Sequence, residues 1–174
     1  MDSKTSSPAE KKFLLIFRLC LMVWILVANA IIAVISFPYP WLIFISNIMM
    51  FTMAGSFKDR FISAELGGLV GLLLTAAAII LMAKLTPLIG TFASLMIALA
   101  LVLFILIVLN PYAPKILNNV GFAYLTIAVM DPQGIIANFW TYMLCFVAGS
   151  LIFNLGALGI MAGLKKLMFG KKTA

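Results

Sequence analysis

The sequence predicts an all-α integral membrane protein of six transmembrane helices, with both termini in the cytosol. Three observations predict it. Of 174 residues, 65% are hydrophobic and 10% charged, and mean hydropathy is +1.21. Apolar stretches near the roughly 20 residues that carry a helix across a hydrocarbon core of about 30 Å recur along the chain. Lysine and arginine gather at alternate ends of those stretches. This composition excludes a soluble enzyme, a disordered chain and a disulfide-stapled secreted module.

Residues 1–12 are polar and read as a short cytosolic lead-in ending in Glu10-Lys11-Lys12. Lys11, Lys12 and Arg18 resemble the charged start of a signal peptide. However, the apolar stretch from Leu19 to Phe37 is longer than a signal core and no small-x-small cleavage site closes it. The first helix is expected from about Phe13 to Ser36, opening a membrane domain of residues 13–167. A basic cytosolic tail, 168–174, follows.

Phe37-Pro38-Tyr39-Pro40-Trp41 is a turn, because its prolines remove donors and bias the preceding residues away from helix. A second helix is expected from Trp41 to Phe57, ending at the charged Lys58-Asp59-Arg60. The third runs from Phe61 to Ala83 and is closed by Lys84-Leu85-Thr86-Pro87. The fourth runs from Leu88 to Leu109 and stops at Asn110-Pro111-Tyr112-Ala113-Pro114-Lys115.

The fifth is short, with 15 residues (116–130) between Lys115 and Asp131, or about 22 Å of helix. The last stretch, Gly134 to Leu164, exceeds the length needed. It is expected to tilt, to kink near Gly149 or Gly156, or to protrude.

Charge sets the orientation. Six spans place Lys4, Lys11, Lys12, Arg18, Lys58, Arg60, Lys115, Lys165, Lys166, Lys171 and Lys172 on one side and Lys84 alone on the other, eleven against one. That distribution accounts for the net charge of +7 without nucleic acid as a partner. Each half has a proline-containing turn, a shorter middle helix and a glycine-bearing final helix, the pattern of a 3+3 inverted repeat built around a midplane site.

The chain has no His and two cysteines, Cys20 and Cys145, each inside an apolar run. Metal sites and nucleophile triads need clusters of such residues, so no metal, cofactor or enzymatic activity is expected, and both thiols read as packing groups.

Glu65 is the acidic residue inside a predicted span. It is either an interfacial partner of Lys58 or Arg60 or a carboxylate on a solute pathway. Asp131 before Pro132-Gln133-Gly134 reads as a turn and helix start, and Arg18 as a snorkelling anchor.

Asn29, Asn47, Asn118, Asn119, Asn138 and Asn154 lie in or at the edges of apolar spans, where each amide needs a partner. They serve interhelical hydrogen bonds or line a polar path with Thr52, Ser56, Tyr124 and Thr126. Gly67 and Gly71, and Gly159 and Gly163, form two G-x-x-x-G faces, and Gly149 and Gly156 lie seven apart on the last helix. Such faces pack helices closely. No strand precedes either, so neither is a dinucleotide fingerprint.

The Pro-Tyr-Pro-Trp turn (38–41), the Lys58-Asp59-Arg60 loop and the Gly67-Gly68-x-x-Gly71 helix resemble the membrane domain of fusaric acid resistance and aromatic acid exporter proteins. The chain is most similar to small bacterial inner-membrane proteins of that shape without a soluble domain. The resemblance spans about residues 15–165.

It implies a multi-pass protein of the cell inner membrane, a transporter or channel-like permease for a small solute such as an organic or aromatic acid. In the exporters an Arg usually stands three residues before the first of these glycines. Here that place is Ala64, beside Glu65, so the resemblance brings architecture and no site residue. The alternative from another class is a scaffold or accessory subunit whose glycine faces dock partner helices. Six helices in 174 residues enclose little interior, so a homo-oligomer in the lipid bilayer is expected.

Overall fold

A computed structural model describes residues 7–37 and 39–170. Residues 1–6 of the expected lead-in, Pro38 of the turn, and Lys171 and Lys172 of the tail lie outside the described residues. Among those described there is no strand.

The first helix, α1 (Pro8–Val34), starts five residues before the expected Phe13. Its start is a capping box. The Ser7 hydroxyl accepts from the Glu10 N–H at 3.2 Å, the Ser7 N–H donates to the Glu10 carboxylate at 2.8 Å, and Pro8 takes the first helical position. Lys11 and Lys12 are therefore helical.

The second helix, α2 (Trp41–Thr52), stops short of Phe57. Met53 is extended and Gly55 has a φ of +107°, a region glycine adopts readily. Ser56 then caps the next helix by accepting from the Asp59 N–H at 3.1 Å.

That helix, α3 (Phe57–Ile89), has 33 residues, about 50 Å of rise. It runs through Lys84-Leu85-Thr86-Pro87, the expected stop. Pro87 lies inside the final turn, and the helix ends three residues later at Gly90, with a φ of +81°.

Next, α4 (Thr91–Leu103) widens into a π-helical turn over Phe104–Val108 and closes in a 3₁₀ turn, Asn110–Tyr112. The Asn110 side-chain amide donates to the Leu117 carbonyl and folds the proline-bearing loop back on itself. The short fifth stretch is α5 (Asn119–Ala128), capped by Asn118.

Asp131 caps the six-residue α6 (Pro132–Ala137) by accepting from the Gly134 N–H at 3.0 Å. The chain breaks at Asn138 before α7 (Phe139–Phe169). The break in the last stretch thus lies at Asn138, and α7 continues as one helix through Gly149 and Gly156.

The chain divides into two compact units. One takes in residues 7–37 and 152–170, that is α1 and the C-terminal part of α7. The two helices pair antiparallel. Phe13 meets Phe169 at 5.7 Å and Trp24 meets Phe153 at 5.9 Å between ring centroids. The indole N–H donates to the Phe153 carbonyl at 3.2 Å, and Gly156 leaves room for the Trp24 ring.

The other unit, Tyr39–Leu151, is built on α3, against which α2, α4 and α5 pack. A Cβ on Gly71 would strike the Gly121 backbone, and one on Gly121 would lie 2.9 Å from the Gly67 carbonyl. The α3–α5 crossing therefore depends on three glycines, which allow backbone-to-backbone approach in an apolar medium. Leu42, Met50, Leu72, Tyr124, Tyr142 and Phe146 fill the core.

Among the described residues four helices are long and apolar enough to cross a membrane: α1, α3, the Thr91–Tyr112 segment and α7. The remaining apolar helices, α2 and α5, have 12 and 10 residues. At about 18 and 15 Å they fall short of the hydrocarbon core on their own.

Candidate functional site

The larger unit collects polar groups where α2, α3, α5 and α7 meet. On α3, Glu65 follows the buried Ala64 and precedes Gly67 and Gly68, so the helix presents small residues around its carboxylate. The Ser150 hydroxyl on α7 donates to Glu65 Oε2 at 2.6 Å, and Ser150 is fully buried. Ser150, which sequence reasoning did not single out, is thus a partner of the carboxylate. Arg60, one of the two cations expected at Glu65, reaches the Met50 carbonyl through Nη1 at 3.5 Å. It also stands 5.7 Å from the Phe57 ring centroid.

From α2 come Ser46 and Asn47, both buried. The Tyr124 hydroxyl donates to the Leu42 carbonyl at 2.5 Å and accepts from the Ser46 N–H at 3.0 Å. It bridges a donor and acceptor that an α-helix would otherwise join directly.

Asn47 is 2% exposed and its side-chain amide nitrogen has no hydrogen-bond partner. One turn earlier on the same face, Ile43 occupies the space beside Gly149, the neighbour of Ser150. The Arg60 Nε is a second buried donor without a partner. Unsatisfied buried donors cost free energy, about 1–3 kcal/mol each, and are uncommon away from sites that receive a ligand or water.

At the start of α5, Asn118 accepts from the Val120 N–H at 2.9 Å and donates to the Ser63 carbonyl at 2.9 Å and the Lys115 carbonyl at 3.1 Å. It sits in the space left by Gly67. A salt bridge of 2.8 Å between Lys115 and Asp59, both about half exposed, links the same two chain segments.

The larger unit thus holds Glu65, Asn47, Asn118 and Tyr124, with Glu65 bonded to Ser150, Asn118 to Ser63, and Tyr124 to Leu42 and Ser46. Asn119 at the first position of α5 and Asn138 between α6 and α7 are exposed. In the other unit, Asn29 is exposed and donates to the Ile25 carbonyl of its own helix at 2.9 Å, whereas Asn154 is buried. Thr52 and Thr126 bond back to Met49 and Phe122, and Ser56 is spent on its cap.

Gly67 and Gly71 meet α5, while nothing lies within 4 Å of a Cβ placed on Gly159 or Gly163. Ser46, Ser63 and Gly121 complete the arrangement. Each is a small residue in an apolar run, and its spacing alone carries no signal.

No group of three or more potential metal ligands occurs among the described residues. The Ser150 hydroxyl is committed to Glu65, while the Asn47 amide and the Arg60 Nε each keep a donor in a largely apolar surround.

These features define a class, a helical membrane protein with a polar cluster inside its larger helical unit. Compared with family models, curated proteins and solved structures, the chain matches none. The class rests on the sequence and this geometry.

Proposed function

We propose that the protein is a small multi-pass permease of a bacterial inner membrane that passes a small polar solute, with an organic acid as the favoured class. The observation that carries this reading is the Ser150–Glu65 hydrogen bond between α7 and α3, in a unit that also buries the Asn47 amide with an unused donor. An intramembrane carboxylate is by default a functional group. The unused N–H of Arg60 is a donor suited to an acidic solute.

Six crossings with cytosolic termini are part of the proposal. The Lys115–Asp59 bridge supports them, because it joins the α2–α3 and α4–α5 connections, which six crossings place on one side. The helix lengths support the inverted repeat. The first half runs 27, 12 and 33 residues, and the second 22, 10 and 31. A homo-oligomer completes the reading, because α1 leaves Leu15, Leu26 and Ile31 exposed along its length.

The test is an untargeted metabolite comparison between cells lacking the protein and cells overproducing it or its Glu65→Gln variant. A polar solute should change in opposite directions in the first two, and the variant, made at normal level, should resemble the deletion. Indistinguishable profiles would overturn the proposal.

A second reading, a scaffold that docks partner helices, is favoured by the open Gly159–Gly163 face. It predicts co-purification of a membrane partner that is lost in Gly159→Leu.

A further inference from the structure

The unit formed by α1 and the end of α7 brings two basic helix ends together. Phe13 stacks on Phe17 at 6.3 Å and meets Phe169 at 5.7 Å, and Phe13 and Phe17 are buried on a helix that is otherwise mostly exposed. This contact sets the first turns of α1 beside the last turn of α7.

Lys11 and Lys12 directly precede Phe13. Lys165 and Lys166 precede Phe169 by four and three residues, so they share its helix face one turn further in. Arg18 follows Phe13 by five residues, which places it about 7.5 Å further along α1, close to the level of Lys165 on the antiparallel helix. All five cations are exposed. Among the described residues of this unit the carboxylate is Glu10, which is held in its capping box with Ser7.

Two apolar helices long enough to cross a membrane thus end in a shared cluster of cations with little local countercharge. Like charges brought together repel, and an anion placed among them removes that repulsion. The ends of crossing helices lie at the depth of lipid phosphates, and lysine stems can lie along apolar surface while the ammonium reaches outward. Leu14, Leu15 and Leu19, exposed beside the cluster, offer acyl chains a surface that a free anion in solution would not use.

We infer that Lys11, Lys12, Arg18, Lys165 and Lys166 form one binding site for the headgroup of an anionic phospholipid. Both helix ends are required. The site belongs to the other unit and does not depend on the permease reading.

The test uses the full chain in mild detergent, titrated with cardiolipin or with phosphatidylcholine, with bound lipid counted by native mass spectrometry. Cardiolipin should be retained over phosphatidylcholine. Lys11→Gln with Lys12→Gln, or Lys165→Gln with Lys166→Gln, should each weaken it by about thirtyfold. The four-lysine variant should lose about the product of the two, roughly a thousandfold, because both ends act on one headgroup. Phe13→Ala, which keeps every charge, should also weaken it, and Lys84→Gln should not.

Equal retention of the two lipids would overturn the proposal. So would two bound cardiolipins of which each pair variant loses only one, which would make the ends independent. Displacement of cardiolipin by millimolar inorganic pyrophosphate would assign the cluster to a soluble anion and overturn it as well.

Discussion

The Tyr124 hydroxyl donates to the Leu42 carbonyl at 2.5 Å across 82 positions of sequence, and so joins α5 to the interior of α2. The ring is fully buried between Trp41, at 6.2 Å, and Phe146, at 5.0 Å between centroids. The bond therefore ties together two helices that are each too short to cross the bilayer alone.

Removing that hydroxyl with Tyr124→Phe should destabilise the protein by about 1–2 kcal/mol, the upper range for a buried interhelical hydrogen bond. Thermal unfolding in detergent measures it. Thr126→Val, which removes an exposed hydroxyl bonded to its own helix, should stay within about 0.5 kcal/mol of wild type.

The glycine faces should separate. Gly71→Leu drives a side chain into the Gly121 backbone and should abolish the monodisperse folded species in fluorescence-detected size exclusion. A Cβ at position 159 meets nothing within 4 Å among the described residues, so Gly159→Leu should fold at wild-type yield. A smaller folded particle from Gly159→Leu would place that face at a contact between chains, and an unchanged particle would leave it to lipid.

Reporter fusions address the six crossings. Alkaline phosphatase fused at Ala174 should be inactive and a fluorescent protein there bright, while phosphatase fused at Gly90, in the α3–α4 turn, should be active. The reverse pattern would invert the orientation, and activity at both positions would remove the six-span count.

The Lys115–Asp59 bridge should contribute little despite its 2.8 Å geometry, because both side chains are about half exposed. Lys115→Gln should change stability by no more than about 1 kcal/mol, with the difference shrinking further at high salt. Chemical denaturation at low and high ionic strength measures both effects.

Much of the fold was legible because hydropathy and turn chemistry are local. The short α5 followed from counting the residues between Lys115 and Asp131, and the all-helical character followed from composition. Other local signals were present and outweighed. Ser7-Pro8-Ala9-Glu10 carries a capping box and an N-terminal proline, yet the polarity of the segment masked them. Ser56-Phe57-Lys58-Asp59 likewise marks the true start of α3.

Pro87 reads as a stop because it removes an i→i−4 bond, yet α3 carries it within its last turn and ends at Gly90. The site was less legible, because it depends on residues far apart in sequence. Nothing near Ser150 in the chain points to Glu65, 85 positions away. A G-x-x-x-G spacing is also the same whether its partner is α5 or another molecule, so only the geometry separates Gly71 from Gly159.

The π-helical turn at Phe104–Val108, closed by the Leu109 N–H on the Phe104 carbonyl at 3.2 Å, has a consequence for lineage. A wide turn is how a helix absorbs one inserted residue without disturbing the packing before it. A chain one residue shorter here would return to regular winding with the segments on either side still in register, because the wide turn holds the extra residue within a single turn. The same loss in an ordinarily wound stretch would rotate everything beyond it by about 100° around the helix axis. Phe104–Val108 is therefore the place where this helix tolerates a change of length, and related chains should differ in residue number here before they differ in the packed turns on either side.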